Sequence, residues 1–334
     1  MQEAPSSECQ TSNFDCLQSI RNAFLSKNVP DTAVEIMLAS LSKATQRQYS
    51  VGLKQWFNYC RSNNRSLNDT SVTNVLAFLS ERFQAGASYG TLNSFRSAIS
   101  LISADKISEN PAISRFMKGV FRLRPSTPKY DSTWDVSIAL DAIESFDTTS
   151  LEILSYKTVL LLALSTAQRA QTLAAINISS IEISHNGLII KIRDLIKTSA
   201  PGKNQPLLCL PRLIDKPSLC VHSTILYYIE RTKDIRKSED RLLVSFQKPH
   251  NAITAQTVSR WIKRGLQICG VDTKIFSGHS TRHAASSQAK LKGLDLDIIR
   301  RTAGWSARSE VFAKHYNRPI KPDNFVFGQS VLNM

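Results

Sequence analysis

The sequence predicts a mainly α protein with a small antiparallel β-sheet, divided between a helical domain and a larger second domain. Three observations carry that expectation. Apolar residues recur at helical spacing in four successive stretches before position 124. The segment Arg124-Pro125-Ser126-Thr127-Pro128 then interrupts the chain, because each proline biases its predecessor away from helix. Beyond it, short strand-like runs lie among longer helical stretches. With 334 residues, at roughly 150 per domain, the chain is long enough to bury two cores.

Residues 1–41, rich in Ser, Gln and Asn, predict a mostly disordered N-terminal segment, with a short helix from Asp31 to Leu41. From Ser42 the pattern turns helical. Tyr49, Leu53, Trp56, Phe57 and Cys60 share one face. The next faces are Val72, Val75, Leu76, Leu79 and Phe83, then Leu92, Phe95, Ala98, Ile99 and Ile102, then Ile113, Phe116, Met117, Val120 and Phe121. Breaks fall at Asn63-Asn64, Ala85-Gly86 and Asn110-Pro111, the last seating proline where a helix can start. Residues 42–124 therefore make a helical domain, and 125–133 a linker.

In the second domain, 134–318, helices are predicted at Ser150–Leu164 and Ala170–Ile176. Ile181–Ile183, Gly187–Ile192 and Leu207–Leu210 then suggest a small antiparallel sheet, with turns at Ser184-His185-Asn186 and Pro201-Gly202. Helices resume at Cys220–Arg231, Ala255–Ile268, Ser280–Lys292 and Asp295–Ala303, with a last one around Ser309–Asn317. Residues 319–334 form a tail, apolar at Ile320, Phe325, Val326, Phe327, Val331 and Leu332.

Forty-two Lys and Arg against 27 Asp and Glu give a net charge of +15, which points to a polyanionic partner, most simply nucleic acid. The surplus is local. Residues 1–40 hold 2 basic and 5 acidic side chains, whereas 41–124 hold 12 and 4. Lys43, Arg47, Lys54, Arg96, Lys118, Arg122 and Arg124 belong to that second stretch, and the shortage of acidic partners favours a phosphate-contacting surface over a merely solvated one. The longest uncharged apolar stretch, Thr158–Gln168, falls far short of the roughly 18–20 residues that span a bilayer. No basic-then-apolar leader opens the chain, so an intracellular protein is expected, with no membrane partner. Six cysteines without a tight pair predict buried thiols in a reducing compartment.

Arg169, Lys197, the run His279-Ser280-Thr281-Arg282, Trp305 and Tyr316 stand out in the second domain, although each alone has a plainer explanation. Arg169 suits a helix C-terminus, Lys197 a solvated turn, and Tyr316 a half-buried packing position. His279 and His283 have metal-ligand spacing but lack an evident third ligand.

As an ordered set they are more specific. Ser165-Thr166-Ala167-Gln168-Arg169, Ile196-Lys197-Thr198, His279-Ser280-Thr281-Arg282, Ala303-Gly304-Trp305-Ser306 and Phe312-Ala313-Lys314-His315-Tyr316 resemble, in that order, the tyrosine recombinase (phage integrase) superfamily. The resemblance runs from about residue 42 to 318. The wording of the last three segments, with Tyr316-Asn317-Arg318-Pro319, is similar to recombinases of DIRS-like, Ngaro and Crypton mobile elements of eukaryotes. Ala170 after the first Arg, and the 11 positions between Trp305 and Tyr316, depart from the commoner pattern.

The resemblance implies a helical core-binding domain and a catalytic domain that together clamp duplex DNA. Tyr316 would attack phosphorus and form a 3′-phosphotyrosine that stores the bond energy for rejoining. Arg169 and Arg282 would hold the non-bridging oxygens, His279 would bond an oxygen or take the tyrosine proton, Lys197 would protonate the departing 5′ oxygen, and Trp305 would replace a second histidine. It implies no metal, ATP or small-molecule cofactor, a homo-oligomer (dimer or tetramer) on double-stranded DNA, a C-terminal tail that docks on the neighbouring protomer, and residence in the nucleus. Three functions share these features: a site-specific recombinase or integrase, a catalytically silent DNA-binding protein of the same fold, and a topoisomerase IB-like relaxing enzyme.

Overall fold

The structure is a computed structural model that describes residues 14–125, 127, 131–305, 316, 318–320 and 332. The described chain is mainly helical with one three-stranded sheet, as expected, and divides into two compact units, 1–127 and 128–334.

The first unit contains α1 (Cys16–Ser26), α2 (Asp31–Ala39), α3 (Lys43–Ser62), α4 (Val72–Gln84), α5 (Tyr89–Ile102) and α6 (Pro111–Leu123). The last four are the predicted amphipathic helices. Each begins where a polar cap precedes the apolar face: Ser42 and Ser88 accept the backbone N–H groups of Thr45 and Thr91, and Asn110 accepts those of Ala112 and Ile113, with Pro111 in the first turn. Their core gathers Leu53, Trp56, Phe78, Leu79, Leu92, Ile99 and Ile113, all fully buried. Trp56 satisfies its indole N–H on the Leu67 carbonyl at 2.9 Å. Gly52 lets α3 approach α5 closely, since a Cβ there would lie 3.1 Å from the Phe95 ring.

The expectation of a mostly disordered segment up to residue 41 fails for the part described. Cys16, Ile20, Ala23 and Phe24 form one helical face on α1, and that face packs into the same core as α3 and α5. Asp15 caps the helix through the N–H groups of Leu17 and Gln18. Residues 1–13 lie outside the described residues.

In the second unit, α7 (Val136–Glu144) precedes α8 (Leu151–Thr166) and the short α9 (Ala170–Ala174). The strands β1 (Ile181–Ser184), β2 (Gly187–Lys191) and β3 (Leu207–Pro211) pair antiparallel in the order β1-β2-β3, with Ile181 opposite Ile190 and Leu188 opposite Leu210. Helices α10 (Val221–Thr232), α11 (Ala255–Ile268), α12 (Ser280–Leu291) and α13 (Leu296–Thr302) follow. The core is built around α8, whose residues from Leu154 to Ala163 are all buried and apolar on every side apart from Ser155, Lys157 and Thr158. Gly265 of α11 seats against it, where a Cβ would come within 2.7 Å of Leu160. Four thiols, Cys16, Cys60, Cys220 and Cys269, are buried as expected, but Cys209 on β3 is exposed because its side of the strand faces away from the core. Most of the helix expected around 309–317, most of the tail, and Cys9 lie outside the described residues. No helix among the described residues is long and apolar enough to cross a membrane.

Because Ile20 is fully buried against the first core, Ile20→Ala is expected to lower stability by about 2–5 kcal/mol. Chemical denaturation followed by tryptophan fluorescence checks this; a change within error would return α1 to the status of a dispensable arm.

Candidate active site

Arg169 owes its position to the way α8 stops. Thr166 turns its hydroxyl back onto the Leu162 carbonyl at 2.6 Å, and Ala167 adopts the left-handed conformation at φ 49°. That conformation costs a non-glycine residue about 1–2 kcal/mol, and it redirects the chain sharply. Arg169 follows as the N-cap of α9, half-buried, rather than as a cation in the last turn of α8. Gln168, buried beside it, donates to the Thr302 carbonyl at 2.6 Å and so ties this turn to the end of α13.

The end of α13 is also where Arg282 reaches. Arg282 is 1% exposed; its Nη1 donates to the carbonyls of Ala167 and Ala303, and Nη2 donates to Ala303 at 3.2 Å. Its guanidinium lies 4.9 Å from the Trp305 ring centre and 5.3 Å from that of Tyr316. Burial, and next the charge of Arg169, push its pKa down to about 10, so it stays a cation at neutral pH. Its Nε is buried with no acceptor among the described residues.

Tyr316 is 8% exposed and held on several sides. His283 stacks on its ring at 4.3 Å and 19°, and Trp305 tilts against it at 4.7 Å. Ser287 of α12 donates to the Tyr316 carbonyl at 2.9 Å and accepts the Arg318 N–H at 3.1 Å. The hydroxyl meets His279 Nε2 at 2.9 Å. His279 caps α12 from a loop pressed onto α11: a Cβ on Gly278 would sit 2.5 Å from the Ser259 carbonyl oxygen. Trp134 steadies the same helix start by donating its indole N–H to Ser280 Oγ at 2.9 Å.

Burial of the imidazole, followed by the positive charges of Arg282, Arg169 and Lys197, lowers the His279 pKa to about 4. The residue as a whole is exposed, so the three cations are the sturdier part of that cause. They also place Lys197, on the turn between β2 and β3, within the field of the same imidazole. Among the described residues none of the three is in an ion pair, and no group of three metal-ligating side chains occurs. A cleft of about 1010 Å³ opens alongside, lined by Thr198, Lys203, Arg300, Arg301 and Trp305. Thus His279, Arg282, Trp305 and Tyr316 touch one another in one unit, and Arg169 and Lys197 of the same unit act on His279 through their charge.

A sequence model of the phage integrase family matches residues 137–321, and a model of the phage integrase N-terminal SAM-like domain matches 36–104. The chain belongs to the phage integrase family. This integrase-family chain is a tyrosine recombinase, and its fold matches solved members at low identity. The XerH site-specific recombinase in a post-cleavage complex with palindromic difH substrate aligns at TM-score 0.62 and 13% identity, over 95% of this chain and 94% of that one. A lambda integrase (75–356) dimer bound to a COC′ core site aligns at 0.53 and 17%, over 89% and 94%. The Tn1549 transposon integrase with circular intermediate DNA aligns at 0.53 and 11%, over 95% and 99%. No curated protein sequence matches the chain.

In the first unit of the recombinase, Lys43, Arg47 and Lys54 are exposed and share one face of α3, at i, i+4 and i+11. Lys118 and Arg122 are exposed together on α6, while Arg96 on α5 is half-buried. Arg124 is spent differently: its guanidinium lies over Phe83 at 4.3 Å and donates to the carbonyls of Ala87 at 3.0 Å and Phe83 at 3.3 Å. Gln168, Gly278 and Ser287 were invisible to sequence reasoning as site residues, because each acts on a backbone atom distant in the chain.

The lowered His279 pKa has a signed consequence. Between about 4 and the unperturbed 6.5 the unfolded chain binds a proton that the folded one does not, so this residue's contribution to stability is lost as pH falls through that window. The imidazole is therefore expected to titrate well below 6.5 in NMR spectra of the DNA-free protein, and His279→Asn to flatten the acid side of the stability profile. A normal histidine titration would contradict the cationic field.

Proposed function

We propose that the chain is a site-specific recombinase that cleaves and rejoins duplex DNA through a covalent bond between Tyr316 and the 3′ phosphate. The observation that carries the reading is the Tyr316 hydroxyl 2.9 Å from an imidazole whose proton affinity burial and three cationic side chains lower. A neutral imidazole accepts a proton; an imidazolium does not.

In the proposed step, Tyr316 Oη forms a bond to phosphorus as the bond from phosphorus to the 5′ oxygen breaks. The phenolic proton passes to His279 Nε2, and Lys197 gives one to the departing 5′ oxygen. Arg169 and Arg282 stabilise the charge that grows on the non-bridging oxygens. Trp305 shapes the pocket against the Tyr316 ring. The exposed faces of α3 and α6 supply sequence-independent contacts through Lys43, Arg47, Lys54, Lys118 and Arg122.

The proposal extends to assembly and setting. Lambda integrase is a dimer on its core site in one relative and a tetramer on a Holliday junction in another, which supports a homo-oligomer on double-stranded DNA here. Similarity to the Tn1549 transposon integrase, together with the wording around His279–Arg282 and Tyr316, supports mobile-element origin, and the eukaryotic resemblance supports nuclear residence.

Incubation of the intact protein with a random-sequence pool of nicked duplexes, followed by recovery of SDS-stable adducts, tests the chemistry. Tyr316→Phe is expected to keep DNA binding and form no adduct. An adduct at wild-type yield from that variant would remove Tyr316 from the reaction. Arg282→Lys keeps the charge but loses the planar fork that spans two carbonyls, so it is expected to slow adduct formation by at least about a hundredfold.

A further inference from the structure

Lys197 stands on an exposed turn within the long connection 192–206, yet a proton donor must hold one place to within an ångström or so. The backbone of that turn is fixed by side chains. Ser199 N–H donates to the Ile196 carbonyl at 2.9 Å, and Ile196 N–H donates to Ser199 Oγ at 2.9 Å. The Ser199 hydroxyl in turn meets the Gln205 amide at 2.8 and 3.0 Å. Ile196 buries its side chain in the core of the second unit. Apart from the burial of Ile196, these contacts lie within the connection itself.

One contact joins the turn to the rest of the site. The Lys197 N–H donates to Gln171 Oε1 at 3.0 Å, across 26 positions of sequence. Gln171 lies in the first turn of α9, whose N-cap is Arg169. The helix that begins at one cation of the site thereby also grips the backbone of another.

We propose that Gln171 is a positioning residue that holds Lys197 in register with Arg169. This rests on the reading of Lys197 as the donor to the 5′ oxygen. The hydrogen bond is to the backbone, so Lys197 keeps its side chain and its three ammonium donors for the leaving group. Loss of the acceptor removes no catalytic group but frees the turn that carries Lys197. Misplacement on the scale of an ångström costs up to about a hundredfold in rate, and the loss falls on the one step Lys197 serves.

The discriminating experiment compares two leaving groups. Duplexes recovered from the pool by wild-type protein are remade with oxygen or sulfur at the bridging 5′ position, and single-turnover cleavage is timed. A thiolate departs without protonation. Gln171→Met, which keeps length and helix propensity but removes the acceptor, is expected to cleave the oxygen substrate about ten- to a hundredfold slower and the sulfur substrate within about twofold of wild type. Gln171→Ala serves the same comparison should the methionine variant fold poorly. Lys197→Ala is expected to show the same selective rescue, more steeply. If Lys197→Ala is rescued and the Gln171 variants are slowed equally on both substrates, Gln171 does not act through Lys197 and the proposal falls alone. If Lys197→Ala is slowed equally on both, the leaving-group role itself is wrong. A pool that yields no adduct with wild-type protein overturns both.

Discussion

A guanidinium withdrawn from water must be given acceptors, and the second unit is arranged around that requirement at Arg282. Stripping a cation of solvent costs several kcal/mol, which only well-placed partners offset. Here the partners are backbone carbonyls, Ala167 and Ala303, and aromatic faces, Trp305 and Tyr316. Each carbonyl is presented only because a helix stops there. Ala167 holds the left-handed conformation at the end of α8, and Gly304, at φ 69°, turns the chain after α13. The residues leaving those two ends are Arg169 and Trp305. The buried charge thus fixes where two other site groups emerge, and a change at Arg282 is a structural perturbation as well as a chemical one.

The tyrosine is restrained by a different means. Its carbonyl is tied to α12 through Ser287, its ring lies against His283 and Trp305, and its hydroxyl meets His279. All but Trp305 come from one helix or its cap, so the run from His279 to Ser287 fixes backbone, ring and hydroxyl as one body. Gly278 and Trp134 then set that helix start against α11 and the beginning of the unit. A further backbone bond, Thr133 N–H to the Pro319 carbonyl at 3.0 Å, ties the chain just past Tyr316 to the same beginning.

Much of the fold was legible because its signals are local. Four amphipathic faces and three strand runs appear as α3 to α6 and β1 to β3. The segment α1 was misread because the opening stretch around it is rich in Ser, Gln and Asn, although Cys16, Ile20, Ala23 and Phe24 repeat at i, i+4, i+7 and i+8; period should have outweighed composition. Helix α7 was missed although its buried Val136, Ala139 and Ile143 stand at i, i+3 and i+7. On α8, apolar almost all round, the helix was readable but no preferred face was. The site divides the same way. Residue types in chain order named Arg169, Lys197, His279, Arg282, Trp305 and Tyr316. Gln168, Gln171 and Ser287 are ordinary polar residues whose partners are backbone atoms 134, 26 and 29 positions away, and no spacing rule reports such a contact.

The electrostatics of the free site bear directly on the base of the proposed reaction. Three cations gathered without an ion-paired carboxylate repel one another and, after burial of the imidazole, lower the proton affinity of His279. A base that weak draws little on a neighbouring phenolic proton. A phosphodiester entering the cluster contributes the missing negative charge. It offsets the part of that lowering that comes from Arg169, Arg282 and Lys197, and the proton affinity of His279 rises. In the proposed reaction the anion to be attacked is therefore also what turns His279 into a useful base, and nucleophile activation is coupled to substrate binding by charge alone, without a moving part.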